Sequence, residues 1–353
     1  ECLILLFFNN SVIFIKFLHH IIGKDALMGL ANHSANNTGE LYRHVAIGLE
    51  AMQNWRRATY DNVAIGAYAL HGSSTITNNY GCNNIAIGRD ALKNTWHMSN
   101  QVAIGYGAGI SANCAYNVYI GTMAGAYNTN ATGHSIFMGD NCGARNNGCY
   151  NIAMGKQALN GWTGDATMRA GDANVAIGYQ CALRHNGHNN VFIGSYCGNQ
   201  AVSVPHATTH YNTCVGSYAG RSLNQTQGNT FIGYHAGFSH SNPGTNLGYN
   251  TCVGYSSGQN ISSGYSNTYM GYNSGFSTTT GFRNIAIGEG ALYANTGGDY
   301  NVVMGYEAGR NAASDQNVLI GCEAGRCNGG NGTGHNNVCI GQRSGFNYTS
   351  GSE

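Results

Sequence analysis

Proline is almost missing from this chain, with 2 residues in 353, and Asp, Glu, Lys and Arg together supply only 9% of it, for a formal net charge of +1. With so little charge of either sign there is no clustered basic face of the kind that nucleic acid or an anionic membrane surface selects. Low charge also separates the chain from disordered polymers, which pair high net charge with low hydrophobicity; here hydrophobic residues reach 42%. Strong helix composition is lacking too, because the abundant Gly (53 residues), Asn, Thr and β-branched residues disfavour helix relative to Ala. Scarce proline leaves the backbone donors free to pair. No apolar run reaches a spanning length: Leu3 to Phe8 and Val12 to Ile22 are interrupted by Asn9, Asn10, Lys16, His19 and His20. Residues 1–18 are therefore read as an apolar cap or a signal-peptide remnant, with no stable membrane span.

What the chain has instead is recurrence. Aligned on Ala-Ile-Gly and its variants, it carries eighteen marker glycines, from Gly23, Gly48 and Gly66 through Gly178 and Gly194 to Gly321 and Gly341. Successive markers lie 16 to 25 residues apart, and everything above the floor of 16 is loop insertion. Self-similarity at such a period signals a solenoid and overrides the several domains that length alone suggests. The expected fold is all-β: a single-stack parallel β-solenoid, or β-roll, of about eighteen coils over residues 19–346, followed by a tail at 347–353. At about 4.8 Å per coil the stack is a rod of roughly 85 Å. The long insertions, Ser73 to Asn79, Gly161 to Gly171, Val202 to His210 and Ser239 to Thr245, hold both Pro205 and Pro243, where a missing N–H breaks no ladder bond.

The residue before each marker is Ile, Met or Val, as at Ile47, Ile104, Met154, Val215, Met270 and Ile340, and two places earlier stands mostly Val, Ile or Thr. A two-residue period sets both on one face of a short strand, and their branched apolar character assigns that face to the coil interior. Three residues after the marker the side chain is small (Ala69, Cys142, Ala219, Ser257, Ser344), and the next residue is usually Gly or Leu (Gly109, Gly220, Leu70, Leu92). Small side chains on a second strand opposite branched ones on the first describe a flattened two-strand coil with a thin core.

Four residues before the marker stands Asn in fourteen coils: Asn62, Asn84, Asn117, Asn151, Asn174, Asn190, Asn212, Asn229, Asn250, Asn267, Asn284, Asn301, Asn317 and Asn337; His19, His44, Gln101 and Ser135 fill the others. Asn tolerates left-handed backbone and bonds neighbouring amides at turns, so stacked coils set these side chains in a ladder along one corner. A row of ligand-binding amides is the functional alternative. The middle strand residue then points out of the coil, yet it is apolar as well, as at Ala46, Ala64, Tyr119, Phe137, Phe192, Cys214, Phe231, Tyr269 and Leu319. A strand apolar on both faces is covered on both. The expected cover is another copy of the chain in a homo-oligomer about a long axis, most simply a trimer; the chain's own insertions are the alternative.

Asn-Val-Ala-Ile-Gly with a small residue at the third place beyond, as in Asn62 to Ala69, Asn174 to Cys181 and Asn284 to Ala291, resembles the head repeats of YadA-like trimeric autotransporter adhesins and the repeats of phage and giant-virus fibre proteins. The resemblance spans nearly everything from His19 to Phe346. It implies a left-handed β-roll, three chains side by side, attachment to a host-surface or matrix glycan or protein, and a place outside the cell, at a cell surface or on a virion. Longer coils than the adhesin repeat, and no coiled-coil stalk or anchor barrel after the head, move the expectation toward a virion fibre or secreted filament.

The sequence nominates no catalytic chemistry, cofactor or metal. Its fifteen Asp and Glu are scattered singly, so no acid/base pair stands out. His206 and His210 have the spacing of a zinc helix without its Glu base, and they follow Pro205 in an insertion. Gly105, Gly107 and Gly109 mimic part of a dinucleotide loop without the following helix. Of twelve cysteines, Cys142, Cys181 and Cys197 occupy the small-residue column and Cys214, Cys252 and Cys339 the middle-strand column, where they read as small hydrophobes. Cys82, Cys114, Cys149 and Cys327 lie between coils and can bridge in an oxidising compartment. Tyr follows the marker at Tyr106, Tyr179, Tyr234, Tyr255, Tyr272 and Tyr306, a row suited to sugar stacking, to an interchain seam or to bracing the sheet. The leading reading is a non-enzymatic fibre or adhesin subunit. A filament of units stacked end to end is its structural rival. An ice- or glycan-binding module is the rival from another class, resting on Thr213, Thr230, Thr251 and Thr268, which the same parity points inward.

Overall fold

A computed structural model describes residues 6–8, 11–13, 20–24, 26, 41–55, 59–73, 80–96, 98–129, 133–161, 171–199, 209–240, 248–312, 314–327 and 334–347. Most of residues 1–18, the tail beyond Asn347, the greater part of the four insertions, Pro205, Pro243 and His206 lie outside the described residues. The chain divides into two compact units, Glu1–Met154 and Gly155–Glu353. No helix occurs among the described residues of either.

In the first unit eight three-residue strands pair in parallel and in sequence order: His20–Ile22, Val45–Ile47, Val63–Ile65, Ile85–Ile87, Val102–Ile104, Val118–Ile120, Ile136–Met138 and Ile152–Met154. Ten more do so in the second unit, from Val175–Ile177 and Val191–Ile193 to Val318–Ile320 and Val338–Ile340. Register follows the repeat without slippage, so Ile65, Ile87 and Ile104 share one column. The chain is a parallel β-solenoid with one strand per marker glycine. Short pairs accompany the first coils: Leu6–Phe8 lies antiparallel to Ser11–Ile13, and Leu41–Tyr42 parallel to Thr59–Tyr60.

Two expectations about the coil are overturned. From Val45–Ile47 to Val318–Ile320 the interior side chain of each strand is the middle one: Ala64, Tyr119, Phe137, Phe192, Phe231 and Tyr269 are buried, while the flanking Val, Ile, Thr and Met are half-buried or exposed. The physical reason is the Asn two places earlier, which shares the middle residue's parity and is itself buried, so the pair fixes the inward face and turns the branched residues out. Nor does a second strand follow the marker among the described residues. The chain turns instead, with left-handed backbone two and four residues on, for example Tyr68 (φ 58°) and Leu70 (φ 50°). The small residue between them, such as Ala69 or Ala291, is buried, and its N–H bonds the marker carbonyl (Ala291 to Gly288, 3.3 Å).

The inward positions trade volume within a coil. In five of the seven coils whose middle strand residue is Ala, the residue six places on is a large apolar one: Ala64 with Leu70, Ala86 with Leu92, Ala153 with Leu159, Ala286 with Leu292 and Ala46 with Met52, all buried; Ala103 and Ala176 are followed there by Gly109 and Ala182. Where it is aromatic, that place is Gly, and a Cβ there would strike the ring: 2.1 Å from Tyr119 at Gly125, 2.3 Å from Phe137 at Gly143 and 2.5 Å from Tyr269 at Gly275. Constant packing density in a narrow core requires this exchange. The markers need Gly for a separate reason. Gly271 has φ +133°, and a Cβ on it would sit 2.6 Å from the carbonyl oxygen of Gly288 in the next coil.

Exchanging one core pair tests the arrangement. Ala286→Phe alone is expected to overpack its coil and cost about 1–3 kcal/mol, and Leu292→Gly alone to leave a void costing about 3 kcal/mol or more. The double substitution should regain most of the loss, read as a favourable coupling energy in a denaturant-unfolding cycle. Additive losses would refute the packing.

Candidate functional site

The parity that buries the middle residue exposes two columns. In the second unit one runs Val175, Val191, Thr213, Thr230, Thr251, Thr268, Ile285, Val302, Val318 and Val338; the other runs Ile177, Ile193, Val215, Ile232, Val253, Met270, Ile287, Met304, Ile320 and Ile340. Every member is Val, Ile, Met or Thr, none is fully buried, and Ile232 and Met270 are 39% and 42% exposed. The first unit repeats the pattern from Val45 and Ile47 to Ile152 and Met154. An uncharged aliphatic face two residues wide is therefore presented by each unit. Thr213, Thr230, Thr251 and Thr268 belong to it, side by side in register, which corrects their expected inward aim. Their hydroxyls make no hydrogen bond to protein among the described residues.

One edge of this face carries the tyrosines that follow the markers. All six are exposed: Tyr106, Tyr179, Tyr234, Tyr255, Tyr272 and Tyr306. Tyr234, Tyr255 and Tyr272 stack on one another, with centroids 5.1 and 5.4 Å apart and planes within 27°. Tyr179 meets Tyr196 edge-on at 5.2 Å, and Tyr196 stacks on Tyr218 at 5.1 Å, with the Arg221 guanidinium lying near both rings. Tyr106 and Tyr306 have no stacked ring beside them among the described residues. In the ladder the ring faces are turned to neighbouring coils and the edges to solvent, which braces the stack and leaves little open face for a sugar ring to lie against.

The Asn column forms a buried hydrogen-bond ladder. In the second unit Oδ1 of each Asn accepts the backbone N–H of the next: Asn174 from Asn190, Asn190 from Asn212, Asn212 from Asn229, Asn229 from Asn250 and Asn250 from Asn267, all at 2.9–3.0 Å. Asn267, Asn284, Asn301, Asn317 and Asn337 continue it. Each Asn from Asn267 to Asn301 also uses its Nδ2 twice, as Asn267 does to Asn250 Oδ1 (3.0 Å) and to the Gly281 carbonyl (2.9 Å). In the first unit Asn84 and Gln101 bond back to Asn62 and Asn84, while His44 and Ser135 stand in as acceptors for Asn62 and Asn151. Asn117 accepts from Ser135, but the buried Gln101 Oε1 has no partner among the described residues. With its acceptors and donors engaged inside the coil, the ladder has little left for a ligand.

Among the described titratable groups the largest shifts fall on buried side chains. Burial pushes the buried His185 down to about 3, with the neighbouring His210 and His188 adding to the shift, and burial pushes His240 down to about 4. Cys181 is raised by its bond to Cys197 and by burial, and burial raises Cys197 and Cys252, so these thiols stay protonated and are poor nucleophiles. No disulfide joins the eleven described cysteines, Cys82, Cys114, Cys149 and Cys327 included. Near the last coils Glu307, Arg310, Glu323, Arg326 and Arg343 form a chain of ion pairs that the sequence reading did not single out. It was detectable as Glu two places and Arg five places after both Gly305 and Gly321, with Arg343 two places after Gly341. Among the described residues no three His, Cys, Asp or Glu are grouped to hold a metal ion, and no helix is long and apolar enough to cross a membrane.

Comparison of the chain with protein-family models and with curated proteins finds no match in either.

Two measurements probe these networks. Asn267→Leu strips acceptors from the Asn284 amide and side chain and is expected to cost about 3 kcal/mol or more, with local loss of hydrogen-exchange protection at Asn284. For the buried histidines the folded state stays neutral while the unfolded chain takes up protons below about pH 6.5, so stability is complete above that value and falls as pH drops toward 4. Each should contribute a slope of about 1.4 kcal/mol per pH unit. Urea midpoints from pH 7 to pH 4.5 should fall accordingly, and His240→Phe should flatten the slope.

Proposed function

We propose that the chain is a non-enzymatic structural subunit that associates with copies of itself through the outward strand face, forming the shaft of a fibre or an attachment surface outside the cell or on a virion. The observation that carries this reading is the uncharged pair of Val/Ile/Met/Thr columns repeated on every coil from Val45 to Ile340. In the second unit ten strands at about 4.8 Å each, three residues of about 3.3 Å wide, amount to roughly 480 Å². That matches the largest apolar patch on a typical monomer, which often marks an interaction site. The likeness to adhesin and fibre repeats supports the same reading and its extracellular setting. It also suggests three copies.

A second reading, a module that binds an ice surface, is favoured by one observation: four Thr stand in register on the outward face with their hydroxyls unengaged. Sedimentation and electron microscopy separate the two. The fibre reading expects oligomers, and Ile285→Glu with Met304→Glu should yield monomers with unchanged circular dichroism, because both positions are about 40% exposed. A wild-type monomer at high concentration would contradict self-association.

A further inference from the structure

We propose that Thr213, Thr230, Thr251 and Thr268 form a register key, each copy's threonine band lying against the same band of a neighbouring copy. This rests on the self-association proposed above. Along the second unit the Thr column is the one break in an otherwise aliphatic face, preceded by Val175 and Val191 and followed by Ile285, Val302 and Val318. In water the four hydroxyls are solvated at no cost. Beneath a covering aliphatic surface each would lose its water partners and gain nothing. The surface that offers hydroxyls at matching levels is the band itself, because the strands hold Thr213, Thr230, Thr251 and Thr268 in direct succession, one coil apart. Band against band satisfies the hydroxyls mutually, and a slip by one coil sets a hydroxyl against a methyl at each end. Polar residues placed sparingly in an apolar seam fix alignment in this way in coiled coils.

A second copy fits the band better than an ice lattice does. The column beside the threonines reads Val215, Ile232, Val253 and Met270, so its side chains differ in length and branching from coil to coil. Met in particular is unbranched and conformationally adaptable, which suits repacking against protein and not a rigid repeat.

The test uses the full chain with the photo-crosslinker benzoylphenylalanine installed at Ile232, mixed in heavy- and light-isotope copies so that adducts between chains are recognised by mass. The expected adducts between copies are confined to the partner's segment from Thr213 to Met270. In the Thr213→Val, Thr230→Val, Thr251→Val, Thr268→Val variant the oligomer should persist and the confinement should be lost. An oligomer with adducts scattered along the face, or confinement unaltered in the variant, overturns the register key and leaves self-association standing. A monomer without adducts between chains overturns both. Ice growth slowed by the wild type and not by the four-valine variant assigns the band to ice and overturns the key as well.

Discussion

Each coil is held by hydrogen bonds it cannot make alone, and the asparagine ladder is where that dependence concentrates. One Oδ1 takes both the backbone N–H and the side-chain amide of the next coil's Asn, as Asn250 does for Asn267. The result is a buried polar network that is affordable because nearly every member is satisfied. It also dictates direction. With the amide facing in, the middle strand residue faces in with it, and the branched residues on either side have nowhere to go but out. Core, outward face and aromatic edge all follow from that parity.

The repeat, the parallel pairing and the position of every strand from His20 to Ile340 were legible in the sequence because marker glycines punctuate it. Side-chain direction was misread. Branched apolar residues such as Val63 and Ile65 were assigned to the interior on hydrophobicity, whereas the interior is set by polar satisfaction and by volume. The corrective signal was present. A Leu at position 70, 92, 159 or 292 always accompanies an Ala six residues earlier, and a Gly at 125, 143, 198, 237 or 275 always accompanies an aromatic residue. Only side chains that touch in a shared core need compensate for one another in this way. The second strand was inferred from small residues that in fact sit in a left-handed turn, and φ at Leu70 or Leu292 leaves no trace in residue type.

The expectation of a covered apolar face keeps its logic while moving to different residues. Tyr119, Phe192 and Tyr269, once candidates for an interchain seam, are filled core. The seam candidates are instead the half-exposed Val, Ile and Met columns, together with four threonines. The tyrosines after the markers stand at the edge, where Tyr234, Tyr255 and Tyr272 spend their ring faces on one another. Sequence could place these rings in one row, but not say which way their planes turn.

The volume trade inside single coils bears on how such a chain can evolve. Because most of the compensation is closed within one repeat, whole repeats can be duplicated, deleted or shuffled as cassettes with little repair next door. Exceptions mark where a cassette boundary is not free: Gly109 lies under Tyr119 and Gly309 under Leu319, each of the following repeat, so those pairs are inherited together.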